Sequence, residues 1–308
     1  MTVSAQPVLV SGRLCLELAV TRHGIRADSA EERVYWQHGG NGGHMAVTAR
    51  RLGAPVALCA HAGYTAHDDD IVATLAGEGI DVSGVVRRRT HRSPAHLHTD
   101  RSFDSQPVTV SSPVEPTLMP EDVDRIEALL LDHAWLLIDG SLPHAFLVEL
   151  IDRAALYSLH IVMCVTQAPP ATIPRRVWEH VDFIVSNVST VALFSRRGLW
   201  PAGARDDPSL ILRRMPRLRG VVVLRGAQEL LWADHTQSQH MALGVQAPVH
   251  VRGAGAVAAA ALTVALAEQR DLADAVLLAR ETVAFYICHE GTRPAMPLRK
   301  ELPSHVAG

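Results

Sequence analysis

The stretch GGNGGHMAVTARRLGAPVALCAHAGYTAHDDDIVATLAGEGIDVSGV, residues 39–85, sets the rhythm of the whole chain. Glycines at 39, 40, 42 and 43 lead into a helix pattern over 43–52, a strand follows at 56–60, and a second helix over 66–79 ends at GEGIDVSGV. Thr65 stands just ahead of Asp68, Asp69 and Asp70. It reads as a helix N-cap with acids in the first turn, a simpler account than a cation site. The same alternation continues on both sides. Strand patterns occupy 7–12, 134–139, 160–165, 182–187, 220–225 and 245–251, and helix patterns occupy 120–132, 145–157, 205–214, 254–269 and 271–287. Apolar strands separated by helices predict an α/β fold whose mostly parallel central sheet is covered on both faces. Residues 14–38 and 88–113 break the rhythm with polar, alternating sequence and predict a small β-lid. With no linker rich in Pro, Gly or Ser and no repeat of 20–50 residues, residues 1–308 read as a single domain with a lid.

Composition narrows the class. Lys and Arg number 29 against 32 Asp and Glu, a net charge of −3, so nothing calls for a nucleic-acid partner. The run Arg87-Arg88-Arg89 reads as solvated surface. Cys15, Cys59, Cys164 and Cys288 form no CxxC pair and each lies in apolar sequence, which predicts buried free thiols in a reducing, cytoplasmic setting. MTVSAQPVLVSG carries no signal-peptide pattern, and the apolar run 256–267 is too short to cross a bilayer, so no membrane association is expected. No metal site is expected either.

The second informative stretch is HVRGAGAV, residues 250–257, which opens an alanine-rich helix pattern. A glycine turn at a helix start presents backbone N–H groups to an anion. GAGAVA also fits a dinucleotide fingerprint, but that requires a following strand with an acidic residue. Here DLADAVLLARETVAFYI follows with helical character, so that reading is set aside.

Taken in order, VLVSGRLCLELAV, the 39–85 stretch, LMPEDVDRIEALL, LLIDGSLP, VDFIVSN, VVVLRGAQELL and the GAG helix resemble the ribokinase-like (PfkB) family of carbohydrate and nucleoside kinases along nearly the whole chain. The resemblance implies a three-layer α/β/α sandwich with a β-lid. It also implies a small-molecule polyol substrate, ATP with Mg2+ as co-substrate if kinase activity persists, and a homodimer formed through the lid. In that family the first glycine-rich region shapes the polyol pocket. The GAG turn holds the transferred phosphoryl group, and an aspartate directly after it acts as base.

Gly253, Ala254 and Gly255 keep the turn, but Ala256 stands in the place of the base. A general base is worth about 10²–10⁴-fold in rate. Other positions depart as well. Asn187 keeps its place in the Asn-x-x-Glu pattern while Thr190 replaces the carboxylate, Leu224 stands where a threonine often meets the nucleotide, and His250-Val251-Arg252 replaces an Asp-Thr-Thr-like approach. Glu17, Gly40, Asn41, Gly42, His44 and Ser141 occupy pocket positions. His96, His98 and Asp100 alternate on a lid strand, and they read as a polar face more simply than as a metal or acid–base site; His98 is counted with the ligand-binding residues. Arg252, Gly253, Ala254, Gly255 and Asn187 form the expected anion site, and His250 and His44 are candidates for a replacement base. The sequence thus predicts a ligand-binding protein of this fold with phosphotransfer lost or impaired. The alternatives are a kinase with a displaced base and a structural or regulatory dimer partner.

Overall fold

A computed structural model describes residues 4–23, 31–89, 92–99, 108–109, 120–167, 173–291 and 293–307. The strands are β1 (Val8–Ser11), β2 (Cys15–His23), β3 (Glu31–Gly39), β4 (Val56–Ala62), β5 (Val85–Arg87), β6 (Ala95–Thr99), β7 (Val108–Thr109), β8 (Trp135–Asp139), β9 (His160–Val165), β10 (Phe183–Asn187), β11 (Gly220–Arg225), β12 (Glu229–Ala233) and β13 (Ser238–Ala242). The helices are α1 (Gly40–Arg51), α2 (Ala66–Gly77), α3 (Pro120–Leu131), α4 (His144–Leu156), α5 (Arg175–Trp178), α6 (Val188–Arg196), α7 (Ser209–Arg214), α8 (Ala254–Ala267), α9 (Leu272–Ile287) and α10 (Ser304–Ala307).

The main sheet runs β13-β12-β11-β10-β9-β8-β1-β4-β5. From β11 to β5 all neighbours are parallel, and β12 and β13 close the far edge as an antiparallel pair. Side chains alternate along each strand, so successive residues enter different cores. Val10, Leu137, Val162 and Val185 pack with α1, α8 and α9, while Leu9, Leu136, Ile161 and Ile184 pack with α4 and α6 on the other face. That partition makes three layers, and the parallel strands read as continuous apolar runs because both faces are covered. Helix α8 is buried on nearly every side. Its alanines let it pack closely against α1, α9 and the strand layer.

A second sheet, β3-β2-β6-β7, is built from the two stretches expected to form a lid. Its strands pair antiparallel except for β2 with β6. Thr65 caps α2 in a capping box with Asp68, as its position ahead of the acids predicts. Among the described residues no helix is long and apolar enough to cross a membrane.

Several expectations need correction. The 245–251 stretch forms no strand. Pro248 has no N–H to give a ladder, and the Val249 N–H is donated to the Ile287 carbonyl at the end of α9 (2.7 Å). The strands of that region are β12 and β13, upstream of it. The 205–214 helix is confined to Ser209–Arg214, because Asp206 and Asp207 donate their N–H groups to Gly203 in a turn before Pro208. Helix α6 fills a stretch in which no helix was expected. Cys15, Cys59 and Cys164 are buried, but Cys288 is exposed just beyond the last turn of α9.

Candidate active site

Strands β1 and β2 and helix α1 meet at a glycine contact. A side chain on Gly12 would lie 2.6 Å from the Gly42 Cα, and Gly40 holds φ +84° against the Arg13 carbonyl. These glycines bring α1 close to the carboxyl end of β1, where ligands bind in open parallel sheets. Gly39 leaves room for the carboxylate of Glu17, whose atoms fill the space a side chain there would need. Glu17 lies on β2 opposite His96 of β6 and is 6% exposed.

His44, in the first turns of α1, is 3% exposed and reaches to 3.8 Å from the Glu17 carboxylate. Both its ring nitrogens are buried without a hydrogen bond. Burial holds its pKa below the usual histidine value; Glu17 opposes that shift and Arg252 adds to it. The ring is therefore neutral near pH 7.

The GAG turn approaches from the other side. Gly253 has φ +74°, and a side chain there would lie 2.6 Å from the Tyr286 hydroxyl and 2.9 Å from His44 Nδ1. The turn and the imidazole thus share one small space. Gly253 N-caps α8 with no capping side chain. The Gly255 and Ala256 amides, in the first turn of α8, lie ahead of any intrahelical acceptor. The Arg252 guanidinium makes no hydrogen bond or ion pair among the described residues. These groups suit an anion. Ala256 is 1% exposed and offers only a methyl group beside them.

A further cluster is formed by Asn41, Asp139 and Ser141. The Asn41 side-chain amide donates to Asp139 Oδ1 (3.1 Å), and so does the Ser141 N–H (2.9 Å). Asp139 Oδ2 and the Ser141 hydroxyl are buried without partners. Asp139 was not singled out from the sequence. Its signal was a lone carboxylate closing the apolar strand WLLID, at the end of β8 where such folds place ligands. Tyr286, fully buried beneath the turn, was missed as well, and nothing in its local sequence marks it.

Other expected residues sit differently. Asn187 is occupied structurally: its side-chain oxygen accepts the Thr190 N–H as N-cap of α6, and its amide donates to the Thr166 carbonyl (both 2.8 Å). Among the described residues no group of three or more His, Cys, Asp or Glu could hold a metal ion, whereas the turn fits a phosphate. His250 donates Nε2–H to the His289 carbonyl (3.0 Å) and sets its ring edge-on to Tyr286. Burial, reinforced by Arg252, lowers its pKa. The His98 backbone lies opposite Ala19, and its side chain falls outside the described residues, as does Asp100.

The sequence pattern of the pfkB family carbohydrate kinases matches residues 8–299. The chain belongs to this family. It is 24% identical over 274 residues to a ribokinase of Bacillus subtilis (strain 168), covering 86% of each chain. The fold is similar to that of Arabidopsis thaliana ribokinase complexed with ribose and ATP, with a TM-score of 0.78, 18% identity, and 96% and 97% of the two chains covered. It is also similar to that of a fructokinase from Xylella fastidiosa with bound ATP, with a TM-score of 0.76, 16% identity, and 94% and 95% covered. Within the PfkB family, the chain therefore has the ribokinase-like fold, a mostly parallel sheet between helical layers with a small second sheet.

Proposed function

We propose that this PfkB protein binds a small polyhydroxylated ligand, a sugar or nucleoside, and has lost efficient ATP-dependent phosphotransfer. One observation carries the reading: Gly253 keeps its left-handed turn at the start of α8 while a buried methyl group, Ala256, occupies the first helical turn beside it. Positioning and charge stabilisation account for most of phosphoryl transfer, and the base adds about 10²–10⁴-fold. Binding at the turn can outlast the loss of that factor. His44, Asp139 Oδ2 and the Ser141 hydroxyl supply unused hydrogen-bonding capacity for ligand hydroxyls. Screening sugars and nucleosides by thermal shift, with ADP release followed in parallel, tests the proposal. Stabilisation without ADP supports it, and rapid ADP release refutes it.

A second reading is favoured by His44 itself. A neutral imidazole beside Gly253 with Glu17 behind it has the order of an acid–base dyad, and on this reading it replaces the missing aspartate. Weak transfer abolished by His44→Asn would support a displaced base. Transfer unchanged in that variant would exclude it.

A further inference from the structure

We infer that the last turn of α9 sets the geometry of the anion turn, with Tyr286 and His250 as its positioning residues. This rests on the proposal that the turn holds an anion. Among the described residues the segment 249–253 has no strand partner; besides the bonds that its own Val251 and Gly253 carbonyls accept from the start of α8, its bonds go to α9 and to His289 just after α9. The N–H groups of Val249 and His250 converge on the Ile287 carbonyl, at 2.7 and 3.4 Å. The His250 ring donates to the His289 carbonyl (3.0 Å), and the Tyr286 hydroxyl donates to the Arg252 carbonyl (2.8 Å). The two rings meet edge-on with centroids 4.8 Å apart. Tyr286 is fully buried, and its hydroxyl also fills the space beside Gly253 that any side chain would take.

The consequence is directional. Gly253 is held left-handed, so the peptide that follows it starts α8 with the Gly255 and Ala256 amides unused. Fixing the Arg252 carbonyl fixes the backbone from which the Arg252 guanidinium, without a partner among the described residues, extends. Without the tyrosine hydroxyl that half-buried carbonyl loses this donor, and the turn is free to rotate away from the arrangement its amides need. Preorganised donors of this kind hold charge without a reorganisation cost at binding. Tyr286 and His250 then act through the turn, without touching the anion.

The test compares Tyr286→Phe, which removes only the hydroxyl, with Thr282→Val. Thr282 is a buried residue one turn earlier on α9, and its hydroxyl bonds the Leu278 carbonyl. Both variants of the full chain delete one buried donor on the same helix. Amide hydrogen exchange over residues 250–257 is expected to quicken about tenfold or more in Tyr286→Phe and to stay unchanged in Thr282→Val. Stabilisation by inorganic phosphate is expected to need several-fold more phosphate in Tyr286→Phe alone. Equal exchange over 250–257 in Tyr286→Phe and wild type, or the same acceleration in both variants, overturns the inference. If wild type shows no response to phosphate, the anion reading of the turn fails, and the exchange measurement still decides the positioning role.

Discussion

Replacing Gly253 with alanine tests the geometry of the turn most sharply. Two costs apply. A non-glycine residue at φ +74° bears a left-handed penalty of roughly 1–2 kcal/mol. The new methyl would also meet the Tyr286 hydroxyl at 2.6 Å and His44 Nδ1 at 2.9 Å, both on buried rings with little room to move. Overpacking of that kind costs about 1–3 kcal/mol. The total is about 2–5 kcal/mol in urea unfolding. Gly198 supplies the control, since it holds φ +69° with no atom within 4 Å of an added Cβ. Gly198→Ala therefore bears only the conformational cost, about 1–2 kcal/mol. The difference between the two variants isolates the steric contact among Gly253, His44 and Tyr286. Equal losses at the two positions would refute the packing described here.

Two further predictions concern charge and capping. His44 and His250 both have pKa values depressed first by burial, so the unfolded chain takes up protons before the folded one does. Stability from these groups is present above the unfolded value of about 6.5 and is lost as pH falls towards the native values, at up to about 1.4 kcal/mol per pH unit for each group. Urea unfolding at pH 7.5 and 5.5 measures the loss, and His44→Asn should reduce it; an unchanged pH dependence would contradict the burial argument. Asn187→Ala should cost about 1 kcal/mol as a lost N-cap and leave the phosphate concentration for half-maximal stabilisation unaltered. A large rise in that concentration would show that Asn187 serves the anion site after all.

The layered fold was legible because parallel strands buried on both faces keep their apolar runs. Strands β9 and β11 match the sequence patterns end to end. The stretch 245–251 misled because VQAPVHV carries strand-like residues, yet its N–H at Val249 finds an acceptor on α9. Helix α6 hid behind its β-branched residues; its decisive feature is the Asn187 cap, a local hydrogen bond more than a pattern of apolar residues. In the site, the glycines of α1 and α8 could be read directly, since each answers to a backbone demand. Glu17 and His44 were legible as pocket candidates, but their approach to the GAG turn depends on how α1, β2 and α8 pack. Tyr286 illustrates the limit: in sequence it is one apolar position of α9, and only tertiary packing puts its hydroxyl under the Arg252 carbonyl.

On the proposed function the turn still binds while the base is gone. The direct measurement is ADP release from Mg-ATP in the presence of whichever sugar or nucleoside raises the melting temperature. A clear ligand-induced stabilisation is expected, with ADP release no faster than from ATP alone in buffer. Stabilisation accompanied by turnover of about 1–100 s⁻¹, the ordinary range for kinases, would contradict it.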